Sequence, residues 1–355
     1  MRLRPLVEWV LVLFACLASG TLECGGIVPS PTAVRGEHLY ARMCSVCHGR
    51  EGQGYAADQA PALHHPRFLG SVTDPFLRSA IANGRTGTTM SAWSTAHSGP
   101  LAPAEIDALV AFLRDWEDGP RPALDESPAR GNATRGSETF ARECEACHGH
   151  EGTGGPNVHI GNLDLLSTAS DGFLRYAIRD GRPGTLMPAF ASKLGDSGVE
   201  DVLAALRNWQ AHAAVAPKPA PARPPPIPLG PIPLFPHGPE PVGFLAYPKN
   251  TGAKVVKEQL DRHARIGLID ARAPSDYLNE HIAGAVSVPF YDPEPYVAGL
   301  PKDAWLALYC ACPHAESGAL AQKLAAKGFT KITVLDEGLW VWKDRKYPTR
   351  TGVDP

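Results

Sequence analysis

Methionine is scarce in this chain: 355 residues hold only four, so each can be assigned individually. Net charge is nearly absent too. With 34 Lys+Arg against 37 Asp+Glu, the balance is −3 at pH 7, and no basic surface is available to hold nucleic acid. The N-terminal apolar stretch, Trp9 to Ala18, falls short of the ~20 residues that cross a bilayer, and Glu8 trims it further. Proline, by contrast, is abundant at 35 residues, about twice the usual share, so it must be concentrated somewhere. Hydrophobic residues at 44% suffice for ordinary soluble cores, and the length suits two or three domains.

Residues 1–22 read as an export signal. Arg2 and Arg4 make a positive n-region, Trp9 to Ala18 the apolar core, and Ala18-Ser19-Gly20 a small-residue cleavage site. Cleavage is the favoured reading. The rival is a membrane anchor, through the retained segment or through a lipid on Cys16, where Leu13-Phe14-Ala15-Cys16 loosely resembles a lipobox but Phe14 suits it poorly.

The dominant pattern is Cys44-Ser45-Val46-Cys47-His48, which recurs 100 residues later as Cys144-Glu145-Ala146-Cys147-His148. Two thiols three residues apart with a histidine directly after them form the c-type haem attachment pattern. One helical turn sets both cysteines on the same side, where each can add across a haem vinyl group, and the adjoining imidazole reaches the iron. Half of a zinc site or a thioredoxin-like pair also uses Cys-x-x-Cys, but neither explains the histidine in both copies.

The flanking chain repeats as well. Gly36 and Tyr40 precede the first motif, Gly136 and Phe140 the second, each pair four apart on one helical face. That spacing lets another helix approach closely at the glycine; an ordinary amphipathic helix with a core aromatic is the alternative. Phe76 to Met90 then aligns with Phe173 to Met187 at an offset of 97, each a short amphipathic helix stopped by Gly84 or Gly181 and followed by a loop that delivers a methionine. Closing helices are expected over Ala104 to Trp116 and Val199 to Trp209. The N-terminal half is an internal duplication.

Met1 lies in the signal and Met43 abuts Cys44, which leaves Met90 and Met187 at matching places in the two repeats. A thioether is a soft iron ligand, and Met/His ligation raises the reduction potential. Two core methionines are the alternative. His64, His65, His97 and His159 do not recur at equivalent places and read as surface residues.

With these features in both copies, residues 33–212 resemble a tandem class I cytochrome c. The resemblance implies two small all-α folds, each wrapped round one covalently attached c-type haem. Cys44 and Cys47, and Cys144 and Cys147, would hold the haems, and the iron ligands would be His48 with Met90 and His148 with Met187. It also implies export to the periplasm, where such haem is attached.

The prolines concentrate at Pro217 to Pro241, twelve in 25 residues, a composition that favours extended polyproline II and a semi-rigid spacer. Strand and helix alternate beyond it. Ile266 to Asp270, Ala285 to Val288, Trp305 to Cys310 and Lys331 to Leu335 read as strands, with helices near 252–264, 317–327 and 338–343, which is the grammar of a parallel α/β domain. Leu268-Ile269-Asp270-Ala271-Arg272, Tyr277, His281 to Ala285, Tyr309-Cys310 and Gly338-Leu339-Trp340 resemble a rhodanese. The expected organisation is a signal or anchor at 1–22, cytochrome c domains at 32–118 and 130–212, a Pro-rich linker at 213–246 and a rhodanese-like domain at 247–351.

The rhodanese resemblance implies a catalytic cysteine at Cys310, activated by backbone N–H groups and the next helix N-terminus. The loop Cys310 to Gly318 departs from the family pattern: it has a second thiol, Cys312, no Arg or Lys to bind a thiosulfate dianion, and Glu316 to repel one. A local disulfide or an inactive remnant is the alternative. Two functions follow. One is an exported dihaem carrier of single electrons between redox partner proteins of a membrane respiratory complex, with the last domain for docking or sulfur handling. The other is a sulfur-oxidising or sulfurtransferase enzyme with a persulfide on Cys310 and the haems as electron exit.

Overall fold

The structure is a computed structural model that describes residues 30–55, 57, 60–155, 157–212, 229–311 and 314–355. The signal or anchor with Cys16, the first part of the linker, and Cys312 lie outside the described residues.

Each repeat opens with a helix capped by its own side chain: Pro31–Leu39 by Ser30, whose Oγ accepts from the Ala33 N–H at 3.1 Å, and Ala133–Glu143 by Asn132, whose Oδ1 accepts from the Arg135 N–H at 3.0 Å. The first runs through a π-turn, Tyr40–Cys44, into the attachment turn Ser45–His48; the second leads into Glu145–His148. The closing helices are Pro103–Arg114 and Ala191–His212. The second is longer than the sequence pattern predicts because it runs across a break at Gly195 (φ 64°).

Opening and closing helices cross at the predicted glycines. A Cβ on Gly36 would overlap the Ala108 carbonyl oxygen, and one on Gly136 the Asp201 carbonyl oxygen. Next to each crossing the aromatic four residues on closes the contact edge-on, Tyr40 with Trp116 (5.0 Å, 86°) and Phe140 with Trp209 (4.8 Å, 90°). Such a pair adds about 0.5–1.5 kcal/mol beyond its burial.

An arginine of each closing helix ties down the chain before the middle helix. Arg114 donates to the Leu69 and Val72 carbonyls at 2.6 and 2.7 Å and pairs with Asp74; Arg207 donates to the Leu166 and Ala169 carbonyls at 2.6 Å each and pairs with Asp171. The middle helices are Asp74–Asn83 and Asp171–Asp180, capped by Thr73 and Ser170. They bring the equivalent rings Phe76 and Phe173 together between the repeats. Each repeat also reaches for the other's methionine loop: His65 Nε2 donates to the Pro183 carbonyl at 3.0 Å, and Asn162 Nδ2 to the Thr86 carbonyl at 2.8 Å.

The last domain is a five-stranded parallel sheet in the order β1-β6-β5-β2-β4, with β1 Asn250–Thr251, β2 Ile266–Asp270, β4 Ala285–Ser287, β5 Trp305–Tyr309 and β6 Ile332–Leu335. β3 His281–Ile282 and β7 Thr349–Arg350 form a separate antiparallel pair. Every residue of β2 is buried, so that strand reads as a continuous apolar run ending in Asp270. Helices Ala253–Asp261, Ala315–Ala326 and Gly338–Asp344 fall where periodicity placed them; β1, β3, β7 and Pro274–Asn279 are too short to show a period.

Residues 229–246, which composition assigned to the spacer, lie along this domain. The Leu234 N–H donates to the Ile266 carbonyl at 2.9 Å, Phe235 stacks on His263, and Phe244 meets Trp305 edge-on. Between its prolines this segment carries apolar side chains, and these give it a surface to bury. The domain itself rests on repeat 1. Arg42 Nε donates to the Tyr291 carbonyl at 2.9 Å and pairs with Asp292, Trp93 packs on Tyr291, Ser275 donates to the Ala92 carbonyl at 2.9 Å, and the Ser91 hydroxyl meets the Asp276 carboxyl. One apolar core runs without interruption from both repeats into one face of the sheet.

Candidate functional site

The attachment turns present their imidazoles in one way. His48 Nδ1 donates to the Pro61 carbonyl at 3.0 Å and His148 Nδ1 to the Val158 carbonyl at 2.9 Å, which fixes the tautomer and leaves Nε2 bare in each ring. Burial lowers the pKa of both histidines, favouring the neutral, metal-binding form. Burial also pushes the Cys44 thiol up to about 12 and Cys144 to about 11. Among the described residues no group of three or more His, Cys, Asp or Glu converges.

The methionine loops are near-copies. Gly84 (φ 64°) and Gly181 (φ 62°) end the middle helices in a conformation that side chains rarely adopt. The Arg85 N–H then bonds the Met90 carbonyl and the Arg182 N–H the Met187 carbonyl, both at 2.9 Å, while Thr88 and Thr185 accept from the Met90 and Met187 N–H at 3.1 Å.

His48, Met90, His148 and Met187 all line one continuous cavity of about 640 Å³. The sequence implied two separate sites; packing the repeats face to face merges their walls. Two arginines that sequence reasoning missed, Arg85 and Arg182, line it as well, lying over Phe76 at 5.4 Å and Phe173 at 5.5 Å. Their signal was present: each follows the helix-stopping glycine at the same place in its repeat. Burial lowers both guanidinium pKa values, that of Arg182 to about 10.

Of the histidines expected at the surface, His64 stacks on Trp116 and His97 bonds Asn83. His65 and His159 instead line the cavity. Contact with the other repeat's methionine loop, which no local pattern encodes, draws His65 in. His65 Nδ1 is buried there without a partner. Bare imidazole nitrogens, thioethers, guanidiniums and an orphaned nitrogen in apolar walls fit a flat iron macrocycle with anionic edge groups.

In the last domain Asp270 anchors the floor beneath the cysteine loop. Its carboxylate accepts from Arg272 at 2.6–3.2 Å and from the Tyr309 hydroxyl at 2.8 Å, and that hydroxyl accepts from the Ile282 N–H at 3.0 Å. Cys310 follows β5, its sulfur 3.3 Å from the Ser317 hydroxyl, where the helix Ala315–Ala326 begins. Cys310 is 0% exposed.

Fold and site together define a tandem c-type cytochrome joined to a rhodanese-like α/β domain. Residues 31–113 and 131–204 match the family described as "Cytochrome C oxidase, cbb3-type, subunit III", and residues 252–345 match "Rhodanese-like domain". Cytochrome c domains of this kind bind c-type haem covalently. The chain is similar to the "Cbb3-type cytochrome c oxidase subunit FixP" of Bradyrhizobium sp. (strain ORS 278), with 27% identity over 176 residues that cover 47% of this chain and 57% of that protein. It is similar also to the "Cbb3-type cytochrome c oxidase subunit CcoP" of Rubrivivax gelatinosus, with 30% identity over 189 residues covering 51% and 56%. The chain thus spans little more than half the length of these curated relatives. A solution structure of a rhodanese-like domain from Anabaena sp. is 28% identical, covers 29% of this chain and 80% of its own, and gives a TM-score of 0.28.

Proposed function

We propose that this chain is a dihaem carrier of single electrons between redox donor and acceptor proteins. The observation that carries the reading is the single cavity lined by both His–Met sets, with each imidazole already oriented through Nδ1. Cys44 and Cys47 would hold one haem and Cys144 and Cys147 the other, and His48 with Met90 and His148 with Met187 would hold the irons. When bound, the haem supplies a one-electron iron couple. The protein's own work is to hold the imidazoles and thioethers in place, to exclude water with apolar walls, and to balance anionic edge groups with Arg85 and Arg182.

The relatives named as subunits of cbb3-type cytochrome c oxidase support a membrane respiratory complex as partner. The N-terminal signal supports export to the periplasm with cleavage, or anchoring there through the retained segment or Cys16. No helix among the described residues is long and apolar enough to cross a membrane.

The reading is tested by pyridine haemochrome quantified against protein, with a haem-stained denaturing gel: two covalent haems per chain are expected, and one or none overturns it. Sulfur chemistry at Cys310 is the second reading, favoured by one observation: Glu316, six residues on, lines the haem cavity, so the cysteine loop and that cavity share a wall. Haem reduction on adding a persulfide donor, lost in Cys310→Ser, supports it; no reduction leaves the domain as a docking module.

A further inference from the structure

Among the described residues that line the haem cavity there is one carboxyl, and it comes from the far end of the chain. Glu316 is the second residue of the helix Ala315–Ala326, is 7% exposed, and makes no hydrogen bond or ion pair among the described residues. Burying a polar group without a partner costs free energy, so packing alone gives no reason for an acid here. Burial, followed by the nearby Cys310 and Asp276, holds its carboxyl well above the ordinary carboxylate range, with Arg272 opposing.

Glu316 reaches the cavity from the side of repeat 1. The helix Ala315–Ala326 packs on the attachment turn Ser45–His48, and the domain's contacts with Arg42, Ser91, Ala92 and Trp93 flank Cys44 on one side and Met90 on the other. The charged and titratable groups that face Glu316 are Cys310, Asp276, Asp270, Arg272 and Tyr291 from its own domain, while Arg85, Arg182, His48, His65, His148, His159, Tyr40 and Tyr55 line the same cavity from the repeats.

We propose that Glu316 takes up one proton when repeat 1 gains its electron and releases it on oxidation, so that the rhodanese-like domain makes reduction of the first repeat proton-linked. The inference rests on the reading that repeat 1 holds a haem. The electron comes from the redox donor and the proton from solvent; the carboxylate becomes a carboxylic acid, and no covalent bond to the haem is made. A negative charge added to a low-dielectric cavity raises the pKa of an acid beside it. Reduction therefore favours protonated Glu316, and the potential of repeat 1 falls as pH rises between the pKa values of its two redox states.

The test is a potentiometric titration of the full-length haem protein at several pH values, as wild type and as Glu316→Gln, with Met187→Ala used to displace the potential of repeat 2 and identify it. One of the two wild-type potentials, that of repeat 1, is expected to fall with pH toward the one-proton limit of about 59 mV per unit, the tenfold step for one electron. Glu316→Gln should flatten it with haem content unchanged. Two flat potentials, or an unaltered slope in Glu316→Gln, overturn the proposal. Should that variant lose haem, the redox-difference infrared spectrum of wild type with isotope-labelled glutamate decides: a carboxylic-acid band that comes and goes with reduction supports the proposal, and its absence overturns it. Fewer than two covalent haems would instead overturn the underlying haem reading.

Discussion

Phe76 and Phe173 occupy the same position in the two repeats, and their ring centroids meet 5.4 Å apart at 46°. Each ring also carries the arginine of its own repeat, Arg85 over Phe76 and Arg182 over Phe173, where the two halves of the cavity join. A duplicated sequence has met itself here, as a self-complementary contact between like surfaces does.

Because the two rings touch, Phe76→Ala and Phe173→Ala should not be additive. Each single variant is expected to cost about 3–5 kcal/mol of unfolding free energy as a large-to-small core change. The double-mutant cycle should leave a coupling of about 0.5–1.5 kcal/mol. Denaturant unfolding of the four proteins measures it, and strict additivity would show that the repeats do not meet through these rings.

Met90→Ala and Met187→Ala should each lower the potential of one repeat and remove about half of the long-wavelength ferric absorption that marks sulfur ligation, since Met/His ligation raises the potential. Two variants with wild-type spectra would place the sixth ligand elsewhere, with His65 and His159 the next residues to replace.

Gly36→Ala and Gly136→Ala each drive a methyl into a facing backbone carbonyl at the helix crossing. Overpacking of this kind costs about 1–3 kcal/mol, and the backbone contact favours the upper end. Thermal unfolding should show a marked loss of Tm in either variant, whereas Gly87→Ala, which has nothing within 4 Å of its Cβ, suffers only backbone strain from its positive φ.

Cys310 should resist alkylation in the folded protein, being fully buried. Trp93→Ala removes the ring that packs on Tyr291 at 5.6 Å and should loosen the domain from repeat 1. Mass spectrometry after brief treatment with a thiol reagent is expected to find Cys310 unmodified in wild type and modified faster in the variant. Rapid modification in both would mean that Cys310 is not buried in solution.

Stability in acid should depend on Asp201, whose pKa is held down first by the hydrogen bond from Arg135, with the Asn132 N–H adding to it. A carboxylate with a depressed folded pKa stabilises fully above its unfolded value of about 3.9, and that contribution is lost as pH falls through the folded pKa. Asp201→Asn should therefore be less stable than wild type at neutral pH, with the gap closing as pH falls below about 4 and the wild-type Asp201 carboxylate is protonated. Chemical unfolding at a series of pH values checks this.

The sequence by itself determined the parts whose information is local or repeated. Cys-x-x-Cys-His needs only one helical turn, the glycine and aromatic need only helical periodicity, and the buried run of β2 needs only its own five residues, so all were legible along the chain. The methionine positions were legible because duplication showed the same loop twice. What joins these parts was decided by the tertiary structure. Arg42 and Tyr291 are 249 residues apart in the chain, His65 and Pro183 are 118 apart, and no periodicity relates such pairs. Only packing could turn two expected haem sites into one cavity, lay residues 229–246 along the sheet and carry the Glu316 carboxyl to the cavity wall. Apolar faces bury wherever shapes match, and the sequence records that each face exists without recording which other face it will meet.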